Sequence, residues 1–298
     1  MLQTRLWVGT ALVLLTIGML VCDQLLAPWY PFLFVFVLGL SLAASKELVD
    51  LLGPARRPQA PLLYAGVALL ATSNWWAHVP RHYGWPQGPW ELILAAFAAL
   101  TLMVFLWEMG SFRPTDEASA SQDGPIERMA RTLWALTYLG LLPCFLAQAR
   151  WLYPANQPNE GSVALALLIF VPKCCDIGAY GAGRLFGRHP MTPVLSPKKT
   201  WEGAAGGLAL GVLAAGLVDR LGPAPLLGKN LGQEIGFGLS LSIAGMLGDL
   251  AESLVKRACR RKDASAVVPG FGGVLDVVDS VLFAAPLGYL WLRSLTEP

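Results

Sequence analysis

Two acidic units recur near the C-terminal end of the chain, Asp249-x-x-Glu252-Ser253 and Asp276-x-x-Asp279-Ser280. Carboxylates at i and i+3 of a helix share a face, so each unit presents two oxygen ligands in one direction, the donor type a hard divalent cation takes. Asp249, Glu252, Ser253 and Lys256 fall at i, i+3, i+4 and i+7 and form one polar stripe on an otherwise apolar helix. A helix end fraying into water around a Glu252–Lys256 pair is the plain alternative, but it gives no reason for Asp249 beside Met246 and Leu247. Asp276 and Asp279 have their own alternative, as N-cap and N3 of a helix opening before Val281-Leu282-Phe283. Their match to the first unit favours chemistry.

Phosphate is the expected counterpart of such a cation. Lys256, Arg257, Arg260, Arg261 and Lys262, followed by Asp263, form a run suited to an anionic headgroup or a triphosphate, or simply a basic cytoplasmic loop. The turn Pro269-Gly270-Phe271-Gly272-Gly273 either lets backbone N–H groups approach a phosphate or serves only as a tight turn. Upstream, Ser196-Pro197-Lys198-Lys199-Thr200 offers two hydroxyls and two ammonium groups just before a helix start, again suiting an oligophosphate, with a basic surface anchor as the alternative. Lys173 and Asp176 stand i, i+3 inside an apolar span, where they neutralise one another or belong to the site. Small residues at Ala179, Gly183 and Gly187, and at Gly203, Gly207 and Gly211, are spaced for close helix packing. His78, His82 and His189 are scattered among loops, so a zinc hydrolase or a covalent triad is not indicated.

The elements that must position these residues are membrane helices. Of 298 residues, 55% are hydrophobic and 14% charged, against about 25% charged in soluble domains; mean hydropathy is +0.52. Apolar segments near 6–26, 30–45, 61–79, 90–109, 132–149, 162–182, 203–219, 235–254 and 280–295 read as nine spans, with an interfacial helix expected over 45–57. The fold class is therefore all-α, a polytopic helical membrane protein. With the N-terminus inside, sixteen of the 22 basic residues fall in inside loops, which fits N-in, C-out and puts both charged motif loops in the cytoplasm. Trp75, Trp76, Trp85, Trp90, Trp107, Trp134, Trp151 and Trp291 sit near span ends, as an aromatic belt does.

Residues 1–160 read as a transmembrane scaffold and 161–298 as the catalytic region, with a polar loop at 110–130. A net charge of +2 gives no argument for nucleic acid. The five cysteines show neither a C-x-x-C pair nor a disulfide spacing, and for the four in apolar segments buried thiols are expected.

Taken together, these residues resemble the phosphatidate cytidylyltransferase (CDP-diacylglycerol synthase) family. Its C-terminal signature is matched in register by Ser253, Lys256, Arg257, Lys262, Asp263, Pro269, Gly270, Gly272, Gly273, Asp276, Asp279 and Ser280. A second block is matched by Asp176, Gly178, Ala179, Tyr180, Gly183, Arg184, Gly187, Ser196, Pro197, Lys199, Thr200, Trp201 and Gly203. The resemblance covers roughly 171–290. It departs at Phe271, where the family pattern has His, and at Val277, where it has Arg.

The resemblance implies conversion of CTP and phosphatidate to CDP-diacylglycerol and pyrophosphate, with Mg²⁺ on Asp249, Asp276 and Asp279 and with Glu252 supporting. Ser196, Lys198, Lys199, Thr200, Ser253, Lys256, Arg257, Lys262 and Asp263 would hold phosphates of CTP or lipid. Expected partners are CTP, phosphatidate and membrane lipid, with a homodimer as the assembly considered, in a bacterial inner membrane with the site facing the cytoplasm. A phosphate monoester is largely anionic at neutral pH, so the missing His need not be a base. Competing readings are a transferase acting on another lipid phosphate, a catalytically silent lipid-binding paralogue, and a transporter. A transporter would place related broken helices in both halves.

Overall fold

The computed structural model describes residues 2–76, 78, 88–112, 124–154, 156–223, 225–228 and 230–296. Arg81, Trp85, Lys229 and most of the polar loop expected over 110–130 lie outside the described residues. Ten α-helices run α1 (Leu2–Gln24), α2 (Pro31–Leu52), α3 (Ala60–Trp76), α4 (Pro89–Ser111), α5 (Pro125–Leu136), α6 (Leu142–Ala149), α7 (Pro158–Phe186), α8 (Trp201–Leu221), α9 (Leu231–Ala258) and α10 (Val274–Thr296). A π-helical turn over Thr137–Leu141 joins α5 to α6, so the two read as one rod. Pro190–Thr192 (β1) and Ser196–Thr200 (β2) form an antiparallel hairpin between α7 and α8.

Among the described residues, eight helices are long and apolar enough to cross a bilayer, with Pro125–Ala149 counted as one. The third of the nine expected spans, α3, is 17 residues long, at the short end of what a bilayer core requires. Leucine, methionine and aromatic side chains of α1 and α4 stand exposed, among them Leu14, Leu15, Leu102, Met103 and Phe105. On a polytopic membrane protein these face lipid.

Several helices outrun their apolar segments. α2 continues through Leu52, so 45–57 is no separate interfacial helix; only Pro54–Arg56 forms a short 3₁₀ turn. α10 begins at Val274 rather than near 280, which places Asp276 and Asp279 in its first two turns. The added turns carry acids that are held within the protein: Glu47 accepts from Val274 N and Leu275 N, and Asp276 and Asp279 face Lys256 and Lys173.

α10 is the central strut. Its Val281, Ala284, Ala285, Tyr289 and Leu292 pack in one buried cluster with α1, α2, α7 and α9, while Leu275 and Leu282 pack in another with α2 to α5. The C-ends of α2, α4, α7 and α9 and the N-ends of α3, α5, α8 and α10 gather at one end of the bundle. There Arg56 donates to the Ala258 carbonyl at 2.9 Å, and Gln59 bonds Thr132 Oγ1 and Glu108 Oε2.

Candidate active site

The acidic residues of the two units converge where α9 meets α10. Gly248 lets the helices touch: a Cβ there would lie 2.5 Å from the Asp279 carbonyl oxygen. At this contact, carboxylate oxygens of Asp249, Glu252 and Asp279 all lie within 4.8 Å of one another. Glu252 is 1% exposed and Asp279 4%. Glu252 Oε1 is buried with no hydrogen-bond partner among the described residues.

Ammonium groups interleave with these carboxylates. Lys256 Nζ meets Glu252 Oε2 at 2.6 Å and Asp276 Oδ1 at 2.5 Å. Lys199 Nζ lies 2.8 Å from Asp249 Oδ2. Lys173 Nζ lies 3.2 Å from Asp176 Oδ2 and 3.6 Å from Asp279 Oδ1, and Ser280 Oγ donates to Asp176 Oδ2 at 2.9 Å. Lys173 and Asp176 are thus a pair, and they belong to the site as well. Five carboxylates face three ammonium groups, a formal excess of two negative charges. Without a dication that excess would be a repulsive burial. Oxygen donors, convergence, surplus charge and an orphaned carboxylate oxygen all fit a hard divalent cation.

Asp276 stands one link from the triad, through Lys256. Its Oδ2 accepts from Gly273 N at 2.6 Å and Ala264 N at 3.3 Å, so it also caps the start of α10. The rest of that cap comes from the N-terminal half of the chain. Glu47 of α2, 6% exposed, accepts from Ser265 Oγ and Val274 N through Oε1, and from Leu275 N through Oε2. The sequence reading passed over Glu47; an acid near the end of a long apolar helix was its only signal.

The glycine-rich turn is closed on itself. Gly270 and Gly272 adopt φ of 85° and 107°, which favour glycine. The N–H groups of Phe271 and Gly272 donate to the Val268 carbonyl, and those of Gly273 to Leu275 go to Asp276 and Glu47. These N–H groups are therefore committed within the protein rather than open to a phosphate. The Phe271 ring lies on Gly9 of α1, 3.4 Å from where a Cβ would stand.

The upstream block divides by strand alternation. On β2, Lys199 turns inward to Asp249 and Lys198 stands exposed. Thr200 caps α8, its Oγ1 accepting from Gly203 N at 3.1 Å, and the Ser196 carbonyl accepts from Thr192. α7 and α8 touch through small residues: a Cβ at Gly203 would lie 2.8 Å from the Ala179 carbonyl, and one at Gly207 2.8 Å from that of Cys175. Ser253 is buried beside Glu252. Arg257 bonds the Leu195 and Arg261 carbonyls, and Lys262 and Asp263 are exposed beyond α9. The structure therefore brings Asp249, Glu252, Asp276, Asp279, Lys199 and Lys256 together. Lys198, Arg257, Lys262 and Asp263 are exposed and do not join that cluster.

Comparison with known proteins is consistent with this geometry. The cytidylyltransferase family model matches residues 3–295. A Mycobacterium bovis protein named phosphatidate cytidylyltransferase is 31% identical over 303 aligned positions, covering 99% of this chain and 89% of its own length. A Brucella suis protein of the same name is 43% identical over 138 residues, 46% of this chain and 50% of its own. Phosphatidate cytidylyltransferase 5, chloroplastic, of Arabidopsis thaliana is 34% identical over 191 residues, 56% of this chain and 45% of its own.

Proposed function

The chain belongs to the cytidylyltransferase family, and from that premise we propose that it converts CTP and phosphatidate to CDP-diacylglycerol and pyrophosphate. The observation that carries the reading is the meeting of Asp249, Glu252 and Asp279 with Lys199 and Lys256 at one end of a lipid-embedded bundle. The lipid phosphate oxygen attacks the α-phosphorus of CTP, a P–O bond forms there, and the bond to the β-phosphate bridging oxygen breaks to release pyrophosphate. The nucleophile is already anionic near neutral pH. What remains is in-line positioning and neutralisation of charge.

Asp249, Glu252 and Asp279 are the residues that would hold Mg²⁺, which when bound supplies positive charge to the phosphates. Lys199 and Lys256 are held by the same carboxylates, ready to meet phosphate oxygens. Asp276 holds Lys256 in place and fixes the first turn of α10. Ser196, Lys198, Thr200, Ser253, Arg257, Lys262 and Asp263 complete the phosphate-binding set in this reading, with Thr200 acting through its cap on α8. We place the site on the cytoplasmic face of a bacterial inner membrane, because the basic loops lie at that end of the bundle. Exposed Tyr180, Leu185, Phe186, Val194 and Trp201 beside the hairpin offer an apolar flank for lateral entry of phosphatidate.

The test is protein purified in detergent, given CTP labelled at the α-phosphate, phosphatidate and Mg²⁺. The expected result is labelled CDP-lipid with equimolar pyrophosphate. Phosphatidate binding without any product would overturn the reading in favour of a silent lipid-binding paralogue.

A further inference from the structure

Tyr138 comes from the N-terminal helices, far in sequence from every acidic residue of the site. It is 6% exposed, and its hydroxyl has no hydrogen-bond partner among the described residues. Burying a hydroxyl unbonded is destabilising, so the arrangement calls for a reason. Its position has a local cause. Tyr138 lies in the π-helical turn Thr137–Leu141, which breaks the α-helical register of the α5–α6 rod at this point.

The ring is held on two sides. Trp134 stacks on it at 6.0 Å between centroids, and Phe283 meets it edge-on at 6.0 Å. Phe283 follows Asp279 by one turn of α10. Phe283 also packs on the α9–α10 contact, its Cβ 3.0 Å from where a Cβ on Gly248 would stand, beside the gathered carboxylates of Asp249, Glu252 and Asp279. Among them, Glu252 Oε1 is also buried without a hydrogen-bond partner. A phenol donor and a carboxylate acceptor thus border one site, and neither has a hydrogen-bond partner among the described residues.

We propose that the Tyr138 hydroxyl donates a hydrogen bond to an oxygen of the ligand held by Asp249, Glu252 and Asp279, either a phosphoryl oxygen or a water on the cation. This deepens the nucleotidyltransferase reading and rests on it. Tyr138 makes the π turn part of the binding site and brings the first half of the chain into contact with substrate.

Tyr138→Phe removes the donor and keeps the ring between Trp134 and Phe283. The unliganded variant should melt at or above the wild-type temperature, because an unsatisfied buried hydroxyl has gone. Three equilibria then read the proposal without turnover: Mn²⁺ binding from the free-ion electron paramagnetic resonance signal, and binding of CTP and of a short-chain phosphatidate by calorimetry with Mg²⁺ present. A bond to a cation water weakens Mn²⁺ binding about tenfold in the absence of nucleotide. A bond to a phosphoryl oxygen leaves Mn²⁺ alone and weakens CTP or phosphatidate about tenfold. If all three dissociation constants stay within about twofold of wild type, the proposal is overturned. Absence of CDP-lipid formation by the wild type would count against the function alone, since these binding measurements stand without it.

Discussion

Gly248 of α9 presses on the backbone of Asp279 in α10: a Cβ at 248 would lie 2.5 Å from the Asp279 carbonyl oxygen and 3.0 Å from the Phe283 Cβ. The next residue is Asp249. Close approach of the helices and convergence of their carboxylates are therefore one feature, and the glycine that permits the first permits the second.

Gly248→Ala should push α9 and α10 apart at the site. Overpacking of this kind costs about 1–3 kcal/mol, and a displacement of about 1 Å is enough for a hundredfold loss of turnover. The expected outcome is a folded protein with kcat/KM down by about two orders of magnitude. Gly39→Ala is the control: nothing lies within 4 Å of its Cβ position, and it should behave as wild type.

Lys256 is the shared counter-ion of Glu252 and Asp276. Lys256→Met leaves both carboxylates uncompensated, and breaking a buried pair this way costs about 3–5 kcal/mol. Thermal unfolding in detergent should show the loss. Lys256→Met with Glu252→Gln should regain part of the stability and none of the activity, because the two changes share one network. Additive losses of stability would show that the pair is not coupled.

Glu47 holds the first turn of α10 through two backbone N–H groups and Ser265. Glu47→Ala should cost about 2 kcal/mol of stability and lower kcat more than it raises either KM, since Glu47 positions Asp276 and Asp279 without touching substrate. Glu47→Gln keeps an acceptor and should restore most of both. An unchanged kcat in the alanine variant would remove Glu47 from the account.

The Phe271 ring rests on Gly9 of α1 and its N–H donates to the Val268 carbonyl. Phe271→His, which returns the residue of the family pattern, should therefore change kcat by less than about threefold, a barrier change under 1 kcal/mol. A rise of a hundredfold would show that position 271 takes part in the chemistry.

The helical period made part of this site readable in advance. Asp249, Glu252 and Lys256 fall on one face of α9 by spacing alone, and Asp279 follows from the repeat of the acidic unit. Long apolar segments likewise marked the spans. What spacing does not carry is contact across the chain. Glu47 meets Val274 and Leu275 over more than two hundred positions, and Tyr138 reaches the site through a π turn that no periodicity announces. Lys198 and Lys199 look equivalent until the β2 pleat sends one outward and the other to Asp249. The glycine turn reads either as a phosphate cradle or as a plain tight turn, because the hydrogen bonds that close it run to Val268 and to Glu47, and the second is a contact only the fold supplies.

The central claim is that the carboxylates gathered by α9 and α10 carry the transfer of the cytidylyl group. Asp279→Asn tests it most directly, because it removes one charge from the triad and changes shape little. The measurement is the rate of CDP-diacylglycerol formation at saturating CTP, phosphatidate and Mg²⁺, beside wild type of equal thermal stability. The account predicts a fall of about a thousandfold, roughly 4 kcal/mol of transition-state stabilisation. A rate within about threefold of wild type, less than 1 kcal/mol, would contradict it.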